Sequence, residues 1–86
     1  RVVLADIDGD AAAAAAEAIR AAGGQALGLR CDIADEASVR ATVAATVERF
    51  GRVDGLVNNA ALMSALPRGA WHEITVADWD RVMAVN

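Results

Sequence analysis

Amide and carboxylate side chains follow apolar runs at three places in this chain. Asn58-Asn59-Ala60-Ala61 comes directly after the run 53–57, Asp6 ends the run 1–5, and Asp32 follows the run 25–31. In an open parallel α/β sheet, ligands bind in the crevice at the carboxyl ends of the strands. Hydrogen-bonding side chains at those positions therefore predict a nucleotide or substrate site.

The two carboxylates suit an adenosine. A carboxylate that ends a strand can accept hydrogen bonds from both hydroxyls of a ribose, and it repels a 2′-phosphate. Asp6 has this position and is followed by the uncharged Ile7, so NAD is predicted rather than NADP. Asp32 with Ile33 can bond the adenine amino group and cover the ring. Turn formation for Asp6 and helix capping for Asp32 are the alternatives.

The elements that must position these side chains alternate between strand and helix. Strands are predicted at residues 1–5, 25–31 and 53–57, the first of them buried on both faces. Helices are predicted at 11–22, whose alanines allow close packing on a sheet, and at 35–50, whose valines recur at helical spacing. This alternation predicts an α/β fold with a doubly wound parallel sheet.

The remainder of the chain predicts a loop and one more helix. Residues 62–74 contain Pro67 and Gly69 without a clear period, so we expect a loop or broken short helix that borders the substrate. Thr75 fits the start of a capping box, and Asn86 lies three residues after Met83 on the apolar stripe of the following helix. A polar residue on that stripe requires a specific role.

Composition limits the classes of partner. The 86 residues are 56% hydrophobic with a net charge of −4, and the eight basic residues are scattered arginines, which argues against nucleic acid. Cys31 is the single cysteine, so no internal disulfide is possible. No apolar stretch approaches the roughly 20 residues of a membrane helix, so no membrane partner is expected. A soluble, cytoplasmic protein is predicted.

Taken in order, these residues resemble the central part of the short-chain dehydrogenase/reductase family, over nearly the whole chain. Asp6 matches the ribose-binding acid, Asp32-Ile33 the adenine-contacting pair, residues 58–61 the motif Asn-Asn-Ala-Gly, and Asn86 the active-site asparagine. The resemblance implies that residues 1–86 are an internal part of a single NAD(P)-binding Rossmann domain.

The resemblance also implies roles for individual residues. Asn59, Ala60 and Ala61 would line the cofactor, while Asn58 would tie the strand to its neighbours. Ala61 departs from the family's glycine, and its methyl group excludes a strongly positive φ. Asn86 would hold a water molecule in the proton relay, with a backbone-bonded amide as the alternative.

The implied function is an NAD-dependent oxidoreductase that interconverts a small-molecule secondary alcohol and a ketone by hydride transfer, as a homo-oligomer when full length. The alternative is a catalytically inactive nucleotide-binding protein that acts as a sensor or scaffold. The family's Gly-rich turn, its active-site serine and its Tyr-x-x-x-Lys motif do not occur in the chain, which has no tyrosine or lysine. We therefore expect an excerpt that is inactive alone, with a gap where the family's first strand would lie. Its substrate would be set partly by the loop beginning at Met63.

Two other motifs match in part. Asp6-Ile7-Asp8-Gly9 resembles the nucleophile motif of haloacid-dehalogenase-type phosphotransferases, but Asp10 adds negative charge where an anionic substrate would bind. Asp6, Asp8, Asp10 and Glu17 also match the spacing of an EF-hand loop. That loop requires glycine at its sixth position, where this chain has Ala11. Neither function is predicted, and no metal site is expected.

Overall fold

The computed structural model describes residues 1–63 and 69–86. Its elements, in chain order, are β1 (Val2–Asp6), α1 (Gly9–Ala21), β2 (Ala26–Arg30), α2 (Glu36–Phe50), a 3₁₀ turn (Trp71–Glu73) and α3 (Val76–Val85). The predicted order of strand and helix is thereby confirmed from β1 to α2.

The two strands form a parallel pair whose carboxyl ends lie side by side. The register runs from Val2 opposite Ala26 to Asp6 opposite Arg30. One further hydrogen bond continues the pairing, because the N–H of Cys31 donates to the carbonyl of Asp6 at 2.8 Å. The residues that follow both strands therefore begin at the same edge of the sheet.

Helix α1 lies unusually close to the sheet. Ala12 and Ala16, on the side of α1 that faces the sheet, are buried. Opposite them, a Cβ on Gly28 would overlap the carbonyl oxygen of Ala12 and lie 2.5 Å from its carbonyl carbon and 2.7 Å from Cα of Ala13. The absence of a side chain at Gly28 is what permits this spacing. The close packing predicted from the alanine run is confirmed.

The ends of the helices follow their capping residues. Oδ1 of Asp8 accepts from the backbone N–H of Asp10 and of Ala11, at 3.1 and 3.0 Å, and so begins α1. Helix α2 ends at Gly51, whose φ of 84° is in the left-handed region that glycine adopts readily. At α3, the N–H of Asp78 donates to Oγ1 of Thr75 at 3.1 Å. The predicted helix starts and stops are confirmed to within two residues.

The third predicted strand is wrong for the structure as described. Residues 53–57 form no strand, and Leu56 and Val57 are 80% and 86% exposed. A β-strand requires a partner for its backbone hydrogen bonds, and none of residues 1–63 and 69–86 supplies one here. The gap expected from the strand order of a doubly wound sheet stays a prediction.

The prediction that β1 is buried on both faces is also wrong within the described part of the chain. Val2 is 46% exposed, and no residue of β1 is fully buried. The valines of α2 are likewise exposed in part. The buried side chains among the described residues are all small: Ala12, Ala16, Ala26 and Cys31.

No helix in the described ranges is long and apolar enough to cross a membrane.

Candidate functional site

Asp6 presents a carboxylate at the carboxyl end of β1. Its Oδ1 accepts from the backbone N–H of Asp8 at 2.9 Å, which forms a tight turn into α1. None of residues 1–63 and 69–86 donates to its other oxygen, and the adjacent Arg30 forms no ion pair with it. The side chain is exposed. It therefore combines the predicted turn role with an oxygen available to a ligand hydroxyl.

Asp32 and Ile33 begin the connection after β2. The carboxylate of Asp32 accepts from the N–H of Ala34 at 3.0 Å, and its own N–H donates to Oγ of Ser38 at 2.9 Å. Ile33 is 42% exposed, and Ile7, after β1, is 61% exposed. Two apolar side chains and two carboxylates thus lie at one edge of the sheet.

A single backbone hydrogen bond connects the two halves of this edge. The N–H of Cys31 donates to the carbonyl of Asp6, so Asp32 directly follows a residue that is hydrogen-bonded to Asp6. Carboxylates accept from hydroxyl and amino groups, and aliphatic side chains cover the faces of planar rings. These are the groups that a ribose joined to a purine presents. The structure places Asp6, Ile7, Asp32 and Ile33 at two adjacent strand ends, and their role in binding a nucleotide stays a prediction.

Asn58, Asn59, Ala60 and Ala61 lie in an exposed segment without regular secondary structure. Within the part of the chain that the structure describes, neither asparagine side chain has a hydrogen bond. The predicted tie between Asn58 and a neighbouring strand is therefore absent here, for the same reason that residues 53–57 form no strand.

The side-chain amide of Asn86 is hydrogen-bonded to the backbone of another residue. Its Oδ1 accepts from the N–H of Leu62 at 2.7 Å, and its Nδ2 donates to the carbonyl of Leu62 at 3.4 Å. Both polar atoms of the amide are thereby engaged by one residue. The structure shows the backbone-bonded amide, which the sequence had left as the alternative to a side chain that holds water.

The candidate residues form two groups. The first contains the strand-end residues Asp6, Ile7, Asp32 and Ile33. The second contains residues 59–61 and Asn86, joined through Leu62. No hydrogen bond or ion pair between described residues connects the two groups.

The segment predicted to border the substrate is described in part. Met63 is 76% exposed, and residues 64–68, including Pro67, lie outside the described ranges. Beyond them, a cavity of about 420 Å³ is lined by Trp71, Ile74, Thr75, Val76 and Trp79. Thr75 and Asn86 are separated by the length of α3, about 16 Å at 1.5 Å per residue. This cavity is thus distinct from the second group.

Sequence reasoning missed the groups that hold these residues in place. Ser38, the backbone of Leu62 and the N–H of Cys31 each hold a candidate residue. A serine in the first turn of a helix resembles any other helix-starting residue, and backbone contacts carry no signal in residue type. Only the possibility of a cap near Asp32 indicated that its surroundings mattered.

The EF-hand alternative is excluded by the course of the chain. Asp8 caps α1, and Asp10 and Glu17 lie on that continuous helix rather than in a loop. Among the described residues, no group of three or more His, Cys, Asp or Glu side chains is placed to hold a metal ion.

Comparison with known proteins gives consistent matches over the whole chain. A family model described as enoyl-(acyl carrier protein) reductase matches residues 1–86. The chain is 48% identical over 60 residues to 2-(R)-hydroxypropyl-CoM dehydrogenase of Xanthobacter autotrophicus, covering 70% of this chain and 24% of that protein. It is 42% identical over 86 residues to sorbitol dehydrogenase of Cereibacter sphaeroides, covering 100% of this chain and 31% of that protein.

A solved structure matches the fold of this chain closely. The crystal structure of a short-chain dehydrogenase/reductase from Burkholderia phymatum in complex with NAD superposes with a TM-score of 0.87 at 38% sequence identity. The match covers 99% of this chain and 29% of that one. The predicted α/β fold of Rossmann type is confirmed. The chain spans about a quarter to a third of the length of these relatives.

Proposed function

This chain belongs to the short-chain dehydrogenase/reductase family, and on that premise we propose that the protein is an NAD-dependent oxidoreductase that interconverts a secondary alcohol and a ketone. The observation that carries the proposal is the pair of strand ends at which Asp6 and Asp32 are joined through the Cys31 backbone. The names of its relatives support the reaction class, since they include dehydrogenases of alcohols.

The strand-end residues would bind the adenosine half of the cofactor. Asp6 has a free oxygen for the ribose hydroxyls, and Ile7 and Ile33 offer exposed apolar surface to the faces of the base. Asp32 would accept from the adenine amino group. These four residues match the chemistry of NAD, because every polar group they offer is an acceptor and adenosine presents hydroxyl and amino donors.

Asp6 also supports a preference for NAD over NADP. A 2′-phosphate placed on the same ribose would bring negative charge against this carboxylate, which no described cation neutralises. At a partly exposed site, like charges about 4 Å apart repel by roughly 4 kcal/mol at an effective dielectric constant of 20. The adjacent Ile7 offers no compensating charge.

Asn59, Ala60 and Ala61 would line the ribose on the adenine side of the cofactor, and Asn86 would hold this segment in place through Leu62. The bound nicotinamide would supply the hydride chemistry itself. With its amide committed to Leu62, Asn86 would contribute to the proton relay by fixing the backbone around it. A small-molecule alcohol or ketone is the proposed substrate, and a homo-oligomer the proposed assembly.

The test uses the full-length protein. NAD and NADP binding are measured by calorimetry, and secondary alcohols of increasing size are then offered while the absorbance of the reduced nicotinamide is followed. Binding of NAD with turnover supports the proposal. Binding of NAD without turnover of any alcohol or ketone would favour the inactive sensor or scaffold instead, and absence of NAD binding would overturn both.

A further inference from the structure

We propose that Ser38 is a positioning residue for the adenine end of the cofactor site, where it selects the base by holding Asp32 in place. This inference rests on the proposed function, because it assigns to Asp32 a contact with the adenine amino group. Ser38 is the third residue of α2 and precedes no strand, so nothing in its sequence position identifies it.

The contact of Ser38 leaves its own helix. Its Oγ accepts from the backbone N–H of Asp32 at 2.9 Å, in a partly buried position six residues away. Other hydroxyls of α2 behave differently: Thr42 donates to the carbonyl of Ser38 at 3.0 Å, and Thr46 donates to the carbonyl of Thr42 at 2.7 Å. Those bonds stay within the helix, as is common for helical hydroxyls. Ser38 instead connects α2 to the candidate site.

The bond completes a set that fixes Asp32 on three sides. Its N–H donates to Ser38, its carbonyl accepts from the N–H of Asp35 at 3.1 Å, and its Oδ1 accepts from the N–H of Ala34 at 3.0 Å. Asp35 in turn caps α2 by accepting from Ala37. Hydrogen bonds therefore fix the turn between β2 and α2 at both of its ends, and the Asp32 carboxylate has a defined direction.

Ser38 is not needed to cap the helix. The cap is Asp35, which takes the N–H of Ala37 at 3.1 Å. Removing the Ser38 hydroxyl would leave α2 with its cap but would leave the N–H of Asp32 without an acceptor. The expected effect is on the orientation of Asp32, rather than on the existence of the helix.

The effect of changing Ser38 should also be confined to recognition of the base. Asp6 lies on the other strand and is joined to this turn by the backbone of Cys31, which precedes the Ser38 contact. Ribose binding at Asp6 would therefore persist when Ser38 is changed. Recognition of the amino group on the base would weaken, because the carboxylate that accepts from it would be less well oriented.

The experiment compares two cofactors on the full-length protein. One is NAD, and the other is the analogue with unsubstituted purine in place of adenine, in which a hydrogen atom replaces the amino group. Dissociation constants are measured for the unmodified protein, Ser38→Ala, Ser38→Thr and the matched control Thr46→Ala. A preference for NAD of about tenfold, the value of one hydrogen bond to a charged group, is expected in the unmodified protein.

Ser38→Ala should lose most of this preference by weakening NAD binding, with little change for the analogue. In turnover, KM for NAD should rise while kcat is retained. Ser38→Thr keeps the acceptor oxygen and should retain the preference, as should Thr46→Ala. Ser38→Cys, close in volume but a weak acceptor, should behave like Ser38→Ala and provides a second reading if the alanine variant does not fold.

Equal weakening of both cofactors, or an unchanged ratio in Ser38→Ala and Ser38→Cys, would overturn the role of Ser38 while leaving NAD binding intact. Absence of NAD binding by the unmodified protein would overturn the proposed function and this inference together. The two failures are therefore distinguishable.

Discussion

The side-chain amide of Asn86 is hydrogen-bonded to both backbone groups of Leu62, a residue 24 positions earlier in the chain. These bonds join the C-cap residue of α3 to the residue that follows Ala61. The position of the segment 59–61 therefore depends on α3, and a displacement of that helix would also displace residues of the proposed cofactor site.

Replacing Asn86 by alanine should lower kcat/KM of the full-length protein by roughly tenfold or more, because both bonds to Leu62 are lost and net hydrogen bonds contribute about 1 kcal/mol each. Steady-state kinetics at saturating NAD would measure the change. Asn86→Asp keeps an acceptor for the N–H of Leu62 but cannot donate to its carbonyl, so an intermediate loss is expected. Wild-type activity in the alanine variant would contradict a role for this contact.

Asp6→Ala should weaken NAD binding by about tenfold, since a ribose hydroxyl loses a charged acceptor. It should also improve NADP binding, because the repulsion of the 2′-phosphate is removed. Asp10→Ala is the matched control: it removes the same charge from the first turn of α1, away from the strand end. Calorimetric titration with both cofactors gives the comparison. If the unmodified protein already prefers NADP, the role assigned to Asp6 is incorrect.

Gly28→Ala should lower the free energy of unfolding by about 1–3 kcal/mol, since its methyl group would overlap the Ala12 backbone and push α1 from the sheet. Urea unfolding of the full-length protein would measure it. Gly23→Asn serves as the control, because no atom lies within 4 Å of a Cβ there and asparagine tolerates the left-handed φ of 86°. Equal stability of the Gly28 variant would show that α1 moves away at little cost.

The 86-residue chain on its own should unfold without a cooperative transition. Its buried side chains, among those described, are alanines and one cysteine, while Leu56 and Trp71 are 80% and 83% exposed. So little apolar area removed from water does not offset the entropy of ordering the chain. Thermal melts followed by circular dichroism and by tryptophan fluorescence would test this. A single sharp transition that coincides by both probes would refute it.

The sequence predicted local structure well wherever the signal was local. Asp8, Asp35 and Thr75 mark the starts of α1, α2 and α3 because a capping side chain acts within three residues of itself. The strand predicted at 53–57 was wrong here because strand formation depends on a partner that apolar content does not supply. The predicted burial of Val2 was wrong for a similar reason, because the exposure of a side chain depends on the elements that pack over it.

Sequence reasoning found the side chains of the candidate site better than the contacts that hold them. Asp6 and Asp32 could be placed at strand ends because parallel strands share a carboxyl edge. The bonds from Ser38 to Asp32 and from Asn86 to Leu62 could not be predicted, since they join residues whose proximity arises only from folding. These contacts determine whether correctly placed side chains also have a fixed direction.

The hydrogen bond between Cys31 and Asp6 has a practical consequence for changing cofactor preference. In the proposed site, the distance between the residue for the sugar and the residue for the base would be set by main-chain atoms, whatever side chains stand at positions 6 and 32. Substitutions at these two positions would then change which nucleoside is bound, but not the distance between the contacts to its sugar and to its base. A designer can therefore treat the sugar and the base as separate problems, solved one side chain at a time without rebuilding a loop.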